Sequence, residues 1–232
     1  MTPNPCRETS RVVRARGVSH SFGIGALERQ VLFAVDFYLD PGEVVILTGP
    51  SGSGKTTLLT LIAALRTLRE GELTVLGCDV RHALAKERIE LRRRIGFVFQ
   101  RHNLLGFLTA RQNVELMFQL HPDVSRREAR ARAETMLARV GLSDHRNHPP
   151  DQLSVGQQQR VAVARALVSA PRLILADEPT ASLDGLSGRN VVELLLEVAR
   201  DNDCSVLMVT HDARVLDAAH RIVHIEDGAI QS

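Results

Sequence analysis

The chain has 232 residues, with 29 Lys and Arg against 27 Asp and Glu, and a formal net charge of +2. This length suits one domain with a sizeable core, and the near balance of charge argues against binding nucleic acid through an overall positive field. No apolar run reaches the roughly 18–20 residues that cross a bilayer, and the N-terminus lacks the apolar stretch of a secretory signal, so we expect membrane contact only through a partner.

Short β-branched runs alternate with loops through residues 12–99 and read as strands. The predicted strands are Val31–Leu39, Glu43–Thr48, Glu72–Leu76 and Ile95–Phe99. Between the second and third strands, an apolar stripe predicts a helix from Lys55 to Leu65; it is formed by Leu58, Leu59, Leu61, Ile62 and Leu65.

From about Arg101 the pattern turns helical and basic. Ser125 opens a capping-box helix that we expect to stop at Gly141. Strands return later in the chain, with a helix between the first two of them. The predicted strands are Leu173–Ala176, Val206–Thr210 and Ile222–Ile225, and the predicted helix is Leu186–Arg200.

This alternation predicts an α/β fold with a mainly parallel sheet, while the strands before residue 40 can form an antiparallel side sheet. We expect residues 1–232 to form a single domain. Its core would comprise residues 1–100 and 159–232, with a helical lobe inserted at about 101–158.

A glycine-rich segment follows the apolar run 44–47 and precedes the predicted helix. The pattern Gly, four residues, Gly, Lys, Ser or Thr cradles phosphate with backbone amides and a helix N-terminus. We expect Lys55 to reach the outer phosphates and the Thr56 hydroxyl to bind Mg²⁺. The nucleotide-binding candidates are Gly49, Pro50, Ser51, Gly52, Ser53, Gly54, Lys55, Thr56 and Thr57.

Two carboxylates, Asp177 and Glu178, end the apolar run 173–176. Open parallel sheets bind ligands at this end of their strands. Neighbours in an extended segment point to opposite sides, so we expect Asp177 to hold Mg²⁺ while Glu178 faces the attacking water as general base. In isolation, two acids at a strand end also occur as a plain solvated turn.

The segment Leu153-Ser-Val-Gly-Gln157 precedes a strong helix former. Ser154 and Gly156 would offer a hydroxyl and a close-approaching amide to a second phosphate site, although the chain has only one glycine-rich phosphate loop. A partner must therefore complete each site. Two copies meeting head to tail would place Ser154, Gly156 and Gln157 of one against the ATP of the other.

This ordered set of motifs resembles an ABC-type ATPase over nearly the whole chain, and the resemblance implies a P-loop NTPase (RecA-like) core that binds ATP and Mg²⁺. By the same resemblance, Gln100 is the Q-loop glutamine that senses Mg²⁺ and water, and His211 is the switch histidine. Ser182-Leu-Asp184 matches the D-loop, so Asp184 is a further nucleotide-site candidate. Phe22 corresponds to the aromatic residue that stacks on adenine, with a core role as the alternative.

The signature departs from the family at one position, because Val155 replaces the first of the two usual glycines. We expect slower or more tightly partner-controlled turnover. The segments 100–114 and 21–31 resemble the DevA group within the MacB and LolD type ATPases. That resemblance implies a separate permease of the MacB/FtsX type, a periplasmic adaptor, an outer-membrane channel and a lipid-like or amphiphilic export substrate.

The same resemblance places an ATP-dependent homodimer on the cytoplasmic face of the inner membrane, held there through the permease. Three scattered cysteines without metal-ligand spacing, Cys6, Cys78 and Cys204, fit a reducing cytosol. Leu104, Leu105, Phe107 and Leu108 form either a permease-docking patch or part of the lobe interior.

The alternatives are ABC ATPases that act without transport. One is a force-transmitting partner of an FtsX-like membrane protein, which the sequence does not separate from an exporter. The other is a soluble ATPase associated with nucleic acid. The arginine runs 92–94 and 126–132 read as solvated helix faces, so no nucleic-acid partner is expected.

Overall fold

The computed structural model describes residues 11–23, 25–181, 183 and 185–231. Its strands are β1 (Val13–Phe22), β2 (Arg29–Leu39), β3 (Val44–Thr48), β4 (Glu70–Val75), β5 (Cys78–Asp79), β6 (Ile95–Val98), β7 (Leu173–Asp177), β8 (Ser205–Val209), β9 (Arg221–Glu226) and β10 (Ala229–Ile230). Its α-helices are α1 (Lys55–Ile62), α2 (Ala85–Arg93), α3 (Ala110–Glu115), α4 (Arg126–Arg139), α5 (Val155–Leu167) and α6 (Gly185–Asp201). Five short 3-10 turns lie between them, at 25–27, 116–120, 143–145, 150–152 and 213–218.

The central sheet has the order β10-β9-β3-β8-β7-β6. Its pairs are parallel except for β10, which runs antiparallel to β9. Every residue of β7 and β8 is buried, as expected of strands covered on both faces. The phosphate-loop strand β3 and the acid-bearing strand β7 are separated only by β8, so their C-terminal ends open on the same edge.

A second sheet, in the order β2-β1-β4-β5, is antiparallel throughout. The predicted antiparallel side sheet is therefore confirmed, with one extension: β4 and β5, which follow the phosphate loop in sequence, also belong to it. One apolar cluster fills the space between this sheet, α1 and one face of the central sheet.

The second apolar cluster joins the helical region to the other face of the central sheet. It combines Val114, Leu137 and Val163 from the helices with Ile174 and Val206 from the sheet. Helix α5 (Val155–Leu167) belongs to both the helical region and the core, since it packs on helix α3 and on strand β6. The lobe boundary that the sequence predicts at about residue 158 thus lies inside this helix.

Two predicted helix ends can be compared with the structure. Ser125 caps α4, as predicted, by accepting a hydrogen bond from the Glu128 amide. The helix ends at Arg139, two residues before the predicted stop at Gly141. The prediction that α1 continues to Leu65 is wrong. The helix ends at Ile62 because Ala64 takes a left-handed backbone with φ 52°, which leaves Leu65 exposed. Among the described residues, no helix combines the length and apolarity that crossing a bilayer requires.

Candidate nucleotide-binding site

The phosphate loop is held between β3 and α1 by close backbone contacts. Gly49 has φ 141°, and a Cβ there would lie 1.9 Å from the carbonyl oxygen of Ile225. At Gly54, with φ 102°, a Cβ would lie 2.6 Å from Cδ2 of Leu32. At Gly49 the backbone conformation and the backbone contact each exclude a side chain, and at Gly54 the positive φ favours glycine. The loop therefore folds back over the N-terminus of α1, where free amides attract anions.

Lys55 begins α1 and its side chain is buried. Its ammonium donates hydrogen bonds of 2.7 Å to the carbonyl oxygens of Gly49 and Pro50. Burial lowers the pKa of Lys55, and the nearby carboxylates of Glu178 and Asp177 partly oppose that shift. A desolvated ammonium held over the loop is well suited to bind phosphate oxygens.

Asp177 is the last residue of β7, and its side chain faces Thr56. The Thr56 hydroxyl lies 2.9 and 3.1 Å from the two carboxylate oxygens, to which it donates. Burial raises the pKa of Asp177, while the Thr56 hydrogen bond and Lys55 oppose the shift. A hydroxyl beside a carboxylate is an oxygen-only donor set, which is what Mg²⁺ prefers.

Glu178 does not continue the strand. Its backbone is left-handed, with φ 47°, and its amide donates to the Val209 carbonyl oxygen at 2.9 Å. The premise that Glu178 continues the extended segment is wrong, because the chain turns at Glu178. Both acids line one cavity. A non-glycine residue in this conformation is strained, a feature that clusters at functional sites.

The Glu178 carboxylate lies 3.1 Å from Nε2 of His211. Burial raises the pKa of Glu178, and the histidine is the first of the groups that oppose the rise. His211 itself is more than half exposed, so only the carboxylate is shielded from water. A carboxylate with a raised pKa is a stronger base, which suits proton abstraction from water.

These groups share a cavity of about 860 Å³. Of the predicted site residues, it brings together Ser51, Gly52, Gly54, Lys55, Thr56, Thr57, Gln100, Asp177, Glu178 and His211. Gly49 and Pro50 lie beside it and line a smaller cavity of about 460 Å³ together with His211. Ser53 is buried, and its hydroxyl has no hydrogen-bond partner among the residues that the structure describes.

The signature segment lies outside this cavity. Ser154 is the N-cap of α5, and its hydroxyl accepts from the Gln157 amide at 3.3 Å. Neither Ser154, Gly156 nor Gln157 lines the cavity that contains Lys55. One chain therefore presents two separate polar surfaces. Of the D-loop, only Leu183 is described, and Ser182 and Asp184 lie outside the described residues.

Phe22 ends β1 and also lies outside the cavity lining. The Arg66 guanidinium carbon is 4.7 Å from the centre of its ring, and His20 packs edge-on at 4.9 Å. Arg66 is tied to the phosphate-loop helix, because its Nε donates to the Thr60 hydroxyl at 2.9 Å. Phe22 is half-buried, so part of its ring is accessible to a base.

Sequence reasoning did not single out several residues that line the cavity, among them Thr180, Ala181 and Asp212. A local signal existed for two of them. Thr180 follows the acid pair in Asp-Glu-Pro-Thr, and Asp212 follows His211. Arg66, which contacts Phe22 and does not line the cavity, had no such signal. Only the packing of β1 against the region after α1 brings it to Phe22.

A glycine-rich loop between a strand and a helix, facing an acid pair two strands away, defines a P-loop nucleotide hydrolase. The sequence profile of the ABC transporter family matches residues 32–181. The chain belongs to that family: it is an ATP-binding cassette and an ATPase of the ABC type. The predicted α/β fold and ATP-hydrolysing activity are thereby confirmed.

Two curated relatives differ in how much of their length this chain covers. The lipoprotein-releasing system ATP-binding protein LolD of Porphyromonas gingivalis is 41% identical over 222 residues, which are 95% of this chain and 99% of that protein. The macrolide export ATP-binding/permease protein MacB of Azoarcus sp. is 42% identical over 220 residues. These are 94% of this chain but 33% of MacB, so the chain spans about a third of that relative's length.

A solved relative is the dimeric ATP-binding cassette MJ0796 in a post-hydrolysis state bound to ADP and Pi. It is 38% identical, with a TM-score of 0.88, and the match covers 95% of this chain and 97% of that chain. The chain is thus related to the MacB and LolD ATPases.

Proposed function

We propose that two copies of this chain bind two ATP molecules between them and hydrolyse them to drive a separate membrane permease. The observation that carries this proposal is the division of polar groups. The cavity joins Lys55, Asp177 and Glu178, whereas Ser154 and Gly156 lie on another surface. A second copy is needed to bring that surface to the nucleotide, and the dimeric state of the solved relative supports this arrangement.

Within one copy, each residue has a proposed role. Lys55 and the backbone N–H groups of the phosphate loop, 49–57 without Pro50, bind the phosphates. Thr56, Asp177 and Gln100 would hold Mg²⁺, and their oxygen donors fit that ion. When bound, Mg²⁺ neutralises charge that develops on the phosphoryl oxygens. Phe22 stacks on the base.

The remaining groups act on the attacking water or at the interface between the two copies. Glu178 accepts the proton of the attacking water, which its buried carboxylate favours. His211 holds the Glu178 carboxylate and contacts the terminal phosphate. Ser154, Gly156 and Gln157 contact the ATP of the other copy, with Asp184 near the same interface.

The permease proposal is supported by a second, apolar groove of about 320 Å³ between the central sheet and the helical region. Its lining includes Leu65, Phe97, Phe99, Leu116, Met117 and Leu120. The patch predicted from sequence is divided: Leu104 packs against the core cluster, whereas Phe107 is 81% exposed. We infer that a helical segment of the permease enters this groove.

The finer identity is also a proposal. The curated relatives favour an exporter or extractor of the MacB and LolD kind, and the DevA resemblance favours a lipid-like or amphiphilic substrate. The permease would be of the MacB/FtsX type, with a periplasmic adaptor and an outer-membrane channel. The chain would then lie on the cytoplasmic face of the inner membrane. We propose one domain with the lobe at about 101–158.

The test of hydrolysis is Glu178→Gln. Its purified protein should release phosphate from Mg-ATP about 10²–10⁴ times more slowly than wild type. It should still bind ATP, because Lys55 and the loop are unchanged, and it should accumulate as an ATP-dependent dimer. Glu197→Gln, an exposed carboxylate on α6, is the matched control and should hydrolyse at the wild-type rate. A Glu178→Gln protein that hydrolyses normally, or stays monomeric with saturating Mg-ATP, would refute this account.

The test of transport begins with the membrane protein that co-purifies with the chain from its native cells. The pair is reconstituted in liposomes that contain candidate amphiphiles. ATP-dependent movement of an amphiphile supports export. ATP hydrolysis that leaves every amphiphile in place supports force transmission to an FtsX-like protein instead.

A further inference from the structure

We propose that His145 is a positioning residue for the signature segment, and that it holds Gln157 only while its imidazole is neutral. The inference rests on the proposed function, because the signature segment matters to hydrolysis only if it meets the ATP of a second copy. What carries it is a chain of three hydrogen bonds whose donors and acceptors can each be assigned.

The first two bonds fix the orientation of the Gln157 carboxamide. Ser154 and Gln157 form a capping box at the start of α5. The Ser154 amide donates to Oε1 of Gln157 at 2.9 Å, and the Gln157 amide donates to the Ser154 hydroxyl at 3.3 Å. A backbone amide can only donate, so the carboxamide must present its oxygen to Ser154. Its NH₂ group then points the other way.

The third bond fixes the state of the histidine. Nε2 of Gln157 lies 3.1 Å from Nε2 of His145. An NH₂ group can only donate, so His145 must accept with an unprotonated Nε2 and carry its hydrogen on Nδ1. A proton on Nε2 would set two donors against each other at hydrogen-bond distance. Turning the carboxamide over would only move the clash to the Ser154 amide.

The surroundings of His145 leave its side chain partly open to solvent. His145 is half-buried and ends the short turn Ser143–His145 that follows α4. The ring of His148 is 5.4 Å away, and Asp144 and Arg146 are its chain neighbours.

Each helix packed near this turn also carries a charged group. Arg160 on α5 donates to the Val140 carbonyl oxygen, and Arg139 at the end of α4 pairs with Asp201. Both guanidinium groups therefore already have partners. Among the contacts described for Nε2 of His145, Gln157 is the only partner.

A consequence for pH follows. Histidine is the side chain whose charge ordinarily changes between pH 5 and 8. A neutral His145 imidazole accepts from Gln157 and holds the signature segment in place. As pH falls and the imidazole gains a proton, the contact is lost and the segment is less well ordered for the second copy. ATP-driven association should therefore weaken on acidification.

The experiment uses the full chain in the Glu178→Gln background, where the ATP-bound dimer accumulates. Dimer dissociation constants are measured by sedimentation at pH 8 and pH 6 with saturating Mg-ATP, for the parent, His145→Gln and His145→Lys. The matched control is His82→Gln, which removes an exposed histidine paired with Asp79 on the turn before α2.

One hydrogen bond corresponds to roughly two- to tenfold in an equilibrium constant, and a symmetric dimer has two signature segments. We expect the dimer affinity of the parent and of His82→Gln to fall by about four- to a hundredfold between pH 8 and pH 6, beyond the change seen in His145→Gln. The glutamine side chain offers an oxygen acceptor at both pH values. His145→Lys, a permanent donor, should already dimerise weakly at pH 8.

Equal pH dependence in the parent and His145→Gln would overturn the proposal, as would normal dimerisation of His145→Lys at pH 8. A parent that forms no ATP-dependent dimer at any pH overturns the composite site, and the role of His145 with it. A measurement on the unmodified chain tests the contact even if the variants fail to fold. The Gln157 side-chain amide signals in an NMR titration should move with the same midpoint as the His145 imidazole, and static signals would refute the contact.

Discussion

The close approach of β9 to the phosphate loop makes Gly49→Ala a sharp test of the structure. A Cβ at Gly49 would lie 1.9 Å from the Ile225 carbonyl oxygen. Real contacts of this kind do not fall below 3.0 Å, so the loop or β9 must move by about 1.1 Å. Strand β9 is held in the central sheet, since it pairs with β3 with Leu47 opposite Val223.

The size of the effect follows from two contributions. A side chain at φ 141° costs about 1–3 kcal/mol in backbone strain, and forcing the overlap apart costs about 1–3 kcal/mol more. Gly52→Ala is the matched control. Gly52 has φ 82° with nothing within 4 Å of a new Cβ, so only a left-handed penalty of about 1–2 kcal/mol applies. Both alanines restrict the unfolded chain equally.

The assay is urea unfolding of the nucleotide-free chain, with the midpoint compared at equal m-value. Gly49→Ala should lower the free energy of unfolding by about 2–6 kcal/mol, clearly more than Gly52→Ala. It should also weaken ATP binding, because the Gly49 carbonyl oxygen that orients Lys55 is displaced. Equal midpoints for the two variants would refute the contact with Ile225.

Three further predictions concern the signature, the buried acid and a thiol. Val155→Gly should raise the rate of ATP hydrolysis severalfold, since it restores the usual signature, and an unchanged phosphate-release rate contradicts our interpretation of Val155. Burial raises the pKa of Asp177 above its unfolded value of 3.8, so ionising it lowers the free energy of unfolding as pH rises through the raised pKa. Asp177→Asn should therefore be more stable than wild type at pH 7 without nucleotide but not at pH 3. Urea unfolding at both pH values tests this, and a variant less stable than wild type at pH 7 would contradict it. Burial raises the pKa of Cys204 to about 11, so iodoacetamide at pH 8 should leave this thiol unlabelled in the native chain, as judged by peptide mass spectrometry, and label it after unfolding.

Much of the site could be predicted from sequence because its residues are adjacent along the chain. The run 44–57 contains its own strand, turn and helix start, so local pattern alone places Lys55 and Thr56. The acid pair follows an apolar run that could only be a buried strand, and a parallel sheet brings the ends of its strands to one edge. Packing was not needed to predict that Asp177 would lie at the ligand-binding edge of the sheet.

The failures occur where tertiary contacts decide the backbone. Glu178 precedes Pro179, which favours an extended conformation. Its amide instead bonds to Val209 on the neighbouring strand, and its carbonyl oxygen accepts from the Ala181 amide, which together stabilise a left-handed residue. The early end of α1 at Ile62 likewise depends on the backbone of Ala64, whose left-handed state no local rule predicts for alanine.

The electrostatics of the site indicate how ATP binding and the proposed association of two copies would be coupled. Burial lowers the pKa of Lys55 and raises those of Asp177 and Glu178, so all three groups are shifted toward their uncharged forms. In the proposed site, Mg-ATP would bring charge of both signs: phosphate oxygens for the lysine and a cation for Asp177. Binding therefore relieves the desolvation of groups that the fold has already fixed, and it stabilises the folded state by linkage. Ser154 and Gly156 do not line this cavity, so in the proposed head-to-tail arrangement the outward-facing side of the nucleotide would gain its contacts only when a second copy binds.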